Sequence, residues 1–187
     1  AVSKVFSYQE SGIEKSFLRD TAIAKLFAER GVAWQEFQRN GVLRGIKDRV
    51  DWDKRWFVTM AEPLIENHYR LSRFPQEEGP LLGSVTDDFA IPADWLRRLE
   101  APSVGMQLGG ESLAWRYLQG FLSDRHKSYH YHISKPMQSR GSCSRLSVYI
   151  AWGNLSIKQI YQASKSLSKE QKNGRAITAF LSRIKWH

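Results

Sequence analysis

Cysteine is nearly missing from this chain. A single residue, Cys143, stands among 187. No internal disulfide can form, and the expected compartment is intracellular and reducing, whether cytoplasmic, nuclear or organellar. Long apolar runs are missing as well. None approaches the roughly 20 residues of a membrane span, and the N-terminus carries no secretory signal pattern, so no membrane partner is expected. The phosphate-binding glycine patterns of P-loop and Rossmann proteins are missing, as are a G-x-S-x-G elbow and an H-E-x-x-H zinc motif. No internal repeat or low-complexity tract occurs.

Acidic residues are scarce in one part only. Residues 1–120 hold 16 Lys+Arg against 17 Asp+Glu, whereas residues 121–187 hold 12 against 2. The whole basic excess of the chain, +9, therefore belongs to its last third. Such asymmetry points to a polyanionic partner, nucleic acid or a phosphorylated cofactor, although a solvated basic face has the same composition. Seven tryptophans and a hydrophobic share of 42% argue for a packed core.

The patterning changes along the chain. KVFSY (4–8) alternates as a strand does, and VAWQEF (32–37) repeats the pattern. Between them, Asp20 is placed to cap a helix carrying Ala22, Ile23, Leu26 and Phe27, with Gly31 as its stop. Strand, helix, strand over so few residues predicts one parallel crossover unit, the edge of a larger α/β domain. Trp52 and Trp56 fall on one side of a helical turn. Residues 62–105 are rich in Pro, Gly and acids, which is linker chemistry. From Gly109 the period becomes helical. Ala114, Tyr117, Leu118 and Phe121 share a face. Ser156 is a candidate cap for Ile157, Ile160 and Tyr161. Ser168, with Gln171 three residues on, has capping-box spacing ahead of Ile177, Phe180, Leu181 and Ile184. Lys172, Arg175, Ser182 and Arg183 fall opposite that stripe.

Two clusters carry potential chemistry. GSCSRLS (141–147) places three serines and a thiol around Arg145. Short hydroxyls and adjacent backbone N–H groups suit phosphate oxygens, and arginine adds a charged fork. The same serines serve equally as helix caps, which is their commoner use. HKSYHYH (126–132) sets His126, His130 and His132 close together. The cluster suits stacking or anion contact better than a structural metal.

The order of these segments is more specific than any one of them. GGESLAWRYLQGFL (109–122), then Tyr129 with Pro136, then SCSRLSVYIAWGNLSIKQIY (142–161), then FLSRIKW (180–186), resembles the photolyase/cryptochrome flavoprotein family. RDTAIAKLF (19–27), VAWQEFQRNGVLRGIKDR (32–49) and DWDKRW (51–56) look like the exit from that family's N-terminal α/β antenna domain.

The resemblance implies a mostly α fold, the first half of the helical photolyase-type FAD-binding domain. It would be preceded by a short βαβ remnant of an α/β domain and a long linker. Residues 1–45 would be the end of the antenna domain, 46–105 the interdomain linker, and 106–187 the N-terminal half of the FAD-binding domain. FAD would be held in the full-length parent by Tyr129, Ser142, Cys143, Ser144, Arg145, Leu146 and Ser147, and an antenna chromophore is a further expectation. Lys172, Arg175 and Arg183 would meet the phosphates of UV-damaged DNA.

The chain departs from the family pattern at Cys143, where threonine is common. It departs also at Phe180 and Arg183, where many photolyases have tryptophan and glutamate. The expected parent is a DNA photolyase; the alternatives are a cryptochrome-like photoreceptor and a flavin-free basic nucleic-acid-binding module. Taken as a fragment, the chain is expected to bind FAD weakly, to lack repair activity and to self-associate.

Overall fold

Two five-residue strands alternate between half-buried and exposed positions: β1, Lys4–Tyr8, and β2, Ala33–Phe37. They pair in parallel, with Lys4 opposite Ala33 and Tyr8 opposite Phe37. Helix α1, Glu14–Glu29, makes the crossover. It ends at Arg30, and Gly31 then turns the chain with φ +66°, a conformation open to glycine. Within the computed structural model, residues 2–38, 40–66, 91–101, 105–170 and 174–186 are described.

Asp20 does not cap α1. The helix starts six residues earlier, with Glu14 in its first turn and Ser16 Oγ donating to Ile13 O at 2.7 Å. Asp20 lies mid-helix and is 6% exposed. Its carboxylate accepts from Arg19 Nη2 at 2.6 Å and from Arg44 Nη2 at 2.5 Å. A charge that reads locally as a helix start is used in a tertiary ion-pair cluster.

The remaining elements among the described residues are helical: α2 (Trp52–Ala61), α3 (Ala93–Glu100), α4 (Glu111–Ser123), the 3-10 turn η1 (Arg125–Ser128), α5 (Tyr129–His132), α6 (Pro136–Ser142), α7 (Ser147–Ala151), α8 (Ile157–Glu170) and α9 (Gly174–Ile184). The protein is therefore mostly helical, with one small two-stranded parallel sheet among the described residues. Two compact units divide it, residues 1–64 with 110–187, and residues 65–109. No helix among the described residues is long and apolar enough to cross a membrane.

The core of the first unit follows the helical periodicity. Ala114, Leu118 and Phe121 of α4 are wholly buried, and Ile157, Ile160 and Tyr161 of α8 join them. Helix α9 contributes Ile177, Phe180, Leu181 and Ile184. Residues 46–61, which the resemblance groups with the linker, include α2, whose Trp56 and Met60 are fully buried in this same core. Trp56 Nε1 donates to Asn40 O at 3.1 Å, which fastens the end of the strand unit to α2. Of the remaining linker stretch, residues 67–90 and 102–104 lie outside the described residues.

The cap positions sort differently from expectation. Ser156 N donates to Gln159 Oε1 at 2.8 Å, and Gln159 N donates back to Ser156 Oγ at 3.1 Å. This reciprocal pair is a capping box for α8. Ser168 lies within the body of α8, and α9 begins at Gly174. Gln171 lies outside the described residues.

Candidate functional site

The serine-rich stretch forms the bend between α6 and α7. Pro136 starts α6 at the first-turn position, where its missing N–H is harmless. The helix closes on itself at the other end. Ser142 is 5% exposed; its hydroxyl donates to Gln138 O at 3.3 Å and lies 3.2 Å from His132 Nδ1. The Cys143 amide donates to Ser139 O at 2.8 Å. Ser142 and the Cys143 amide thus serve the helix end, the bland alternative for this stretch.

Beyond Cys143 the chain behaves otherwise. Arg145 has φ +59°, left-handed for a residue with a Cβ. Leu146 follows in the right-handed region with φ −92° and ψ −11°. A left-handed residue followed by a right-handed one turns successive backbone N–H groups toward one side, which is the geometry of an anion nest. Leu146 is 1% exposed, and Tyr149 and Ile150 of α7 are buried beside it, so the bend is anchored from below. Ser144 and Arg145 are half-buried and Ser147 is exposed.

Arg125 fixes the bend from a second direction. Its Nη1 donates to Cys143 O at 3.2 Å, and its Nη2 donates to Tyr117 O at 2.6 Å. The guanidinium ties α4 to the start of the bend through backbone carbonyls. Nothing in the sequence marked Arg125 for this, because its partners lie 8 and 18 residues away.

Tyr129 is half-buried at the start of α5, edge-on to Phe121 and Phe180 at 5.6 Å each. Burial pushes its phenol above the ordinary tyrosine range; the Arg183 charge pulls it down, and the Cys143 thiol pushes it up. Three residues chosen from the sequence, Tyr129, Cys143 and Arg183, therefore share one electrostatic neighbourhood, although 54 positions separate the outermost two. Phe180 is 3% exposed and packs 4.6 Å from Phe121, so the position serves the core. Arg175 and Arg183 are exposed, and Lys172 lies outside the described residues.

The histidines separate. His126 is 1% exposed, with Nδ1 3.2 Å from Phe121 O. His130 lies against Tyr131, ring centroids 3.8 Å apart. Among the described residues no group of three or more His, Cys, Asp or Glu could hold a metal. The bend combines left-handed Arg145 and right-handed Leu146 with half-buried Ser144 and exposed Ser147. No family model matches this chain, and no curated protein matches it.

Proposed function

We propose that this chain is part of a blue-light flavoprotein of the photolyase/cryptochrome kind, and that the bend from Cys143 to Ser147 holds the phosphates of FAD. The observation that carries the reading is the left-handed Arg145 followed by right-handed Leu146. Sequence order singles out the same five positions, and the left-handed then right-handed pair among them is a turn of the kind that suits an oxyanion. Ser144 and Ser147 would donate hydroxyl hydrogen bonds, and Arg145 would add charge. Buried Leu146 would keep the amides aimed, so little ordering cost remains on binding. Ser142 would act as support for α6, since its hydroxyl is occupied there.

A bound, reduced flavin would supply light-driven electron transfer to a UV-made pyrimidine photoproduct, the electron returning after bond cleavage, and the protein would supply position and electrostatics. The exposed Arg175 and Arg183 would meet DNA phosphates, a sequence-independent and salt-sensitive contact. Photolyase is the first reading. A cryptochrome-like receptor is the second; Phe180 and Arg183 in place of tryptophan and glutamate speak against the best-known dimer-repair class.

The test uses the full-length parent. Flavin absorption is expected in the purified protein, as is light-dependent repair of UV-irradiated DNA. Paired Ser144→Asp and Ser147→Asp changes should release the flavin by charge repulsion while the helical circular dichroism persists. A parent without flavin would overturn the reading; flavin without repair would select the receptor.

A further inference from the structure

A cavity of about 360 Å³ lies between the sheet and α1 and shares no residue with the bend. Phe27 and Trp34 give it an aromatic wall, the two rings meeting edge-on at 5.7 Å. Its charges are unequally met. Asp20 is bonded by both Arg19 and Arg44, and Arg19 Nη2 also reaches Glu10 Oε2 at 2.7 Å. Arg44 further donates to Glu10 O.

Glu36 is the exception. Its Oε1 is enclosed and has no hydrogen-bond partner among the described residues. Among the described residues Arg44 Nη1 pairs with it at 4.0 Å, beyond hydrogen-bond reach. Trp34 Nε1 cannot turn to it, because it donates to Ser7 Oγ at 3.0 Å. An enclosed carboxylate oxygen without a donor is unfavourable, and a ligand that brings one would be held.

We propose that this cavity binds a small organic cation, an amidinium or amine on a flat apolar body. The cationic N–H groups would bond Glu36 Oε1, and the body would lie against Trp34 and Phe27. Anions are disfavoured, because both arginines already serve Asp20 and Glu10 and the unmet group is itself negative.

Amide and indole NMR shifts of the whole chain, titrated with benzamidine, test this. Saturable shifts are expected at Glu36 and at the Trp34 indole N–H, with an affinity in the range of about 1 mM. Benzoate and benzyl alcohol, of similar shape, should leave these signals in place. Glu36→Gln keeps the size of the side chain, and should weaken benzamidine binding about tenfold with the remaining spectrum unchanged. Equal response to benzoate, no saturable response to benzamidine, or an unchanged affinity in E36Q would each overturn the proposal. The comparison of the three probes on the unaltered chain holds even where E36Q perturbs the fold.

Discussion

Lys185 Nζ lies 2.9 Å from Asp53 Oδ1, joining the end of α9 to the first turn of α2 across 132 positions. The ammonium also sits 4.4 Å from the Phe57 ring centroid and is 13% exposed, whereas Asp53 is 65% exposed. A neighbouring contact runs in parallel, Trp52 against Trp186 at 5.7 Å. Because the carboxylate is largely solvated, the aromatic contact carries much of the interaction. Lys185→Met keeps the aliphatic stem and is expected to cost about 1 kcal/mol in urea unfolding. The loss should shrink only modestly in high salt. A loss that vanishes in salt would assign the contact to the exposed pair alone.

Gly41 has φ +69°, and a Cβ built there would stand 2.9 Å from Trp56 Cδ1 and 3.1 Å from Met60 Cε. Gly45 has φ +74° with open space around it. Both Gly→Ala changes carry a left-handed penalty of about 1 kcal/mol. Only Gly41→Ala also pushes on the core, so it should cost about 1–2 kcal/mol more than Gly45→Ala. Equal losses would show that the loop yields without disturbing Trp56.

Arg44, then Arg19, hold the Asp20 carboxyl below its ordinary range. The folded value therefore lies below the unfolded value of about 3.9. The stabilisation is complete above the unfolded value and is lost as pH falls through the folded one. The urea midpoint should drop steadily below about pH 4. Asp20→Asn should start lower and be flatter over that range; parallel profiles for the two proteins would remove Asp20 from the acid response.

Burial raises the phenols of Tyr129 and Tyr161. Each stays neutral in the folded chain where the unfolded chain ionises, so stability is full below about pH 10 and lost as pH rises through the folded value. Tyr129→Phe should retain its unfolding midpoint further into alkali than the unaltered chain. An identical alkaline limb would contradict this.

Arg145→Gly and Arg145→Ala separate strain from charge. Glycine accepts φ +59° and alanine does not, so the glycine variant should be more stable by about 1 kcal/mol. Both variants should lower flavin retention in the parent. Retention restored by glycine alone would make the backbone, and not the guanidinium, the binding element.

Local patterning was legible wherever one element could be read by itself. The strands follow their alternation, and Ile177 and Phe180 follow their stripe into the core. Side chains with two lawful uses were not legible. Asp20 has a capping side chain, yet it answers Arg44 from a distant loop. Ser168 and Ser156 carry the same signal, and only Ser156 stands at a helix start. The bend divides in the same way. Its composition suits a cap and a cradle alike; the Ser142 hydroxyl takes the first use, and Arg145 departs from helical geometry with φ +59°. Trp52 and Trp56 read as one side of a helical turn, and they lie in α2, where Trp56 meets Tyr161 edge-on at 5.4 Å.

Helix α2 settles where an autonomous folding piece could begin. Residues 121–187 contain only two acids, Asp124 and Glu170, for twelve basic side chains. Lys158 and Lys185 take their counter-ions from elsewhere, Glu62 at 2.8 Å and Asp53 at 2.9 Å. A polypeptide opened at residue 106 would forfeit both counter-ions together with Trp56, its bulkiest enclosed side chain. The helical half is thus born self-repelling, and the counter-charges at Lys158 and Lys185 are on loan from a turn of chain synthesised long before it.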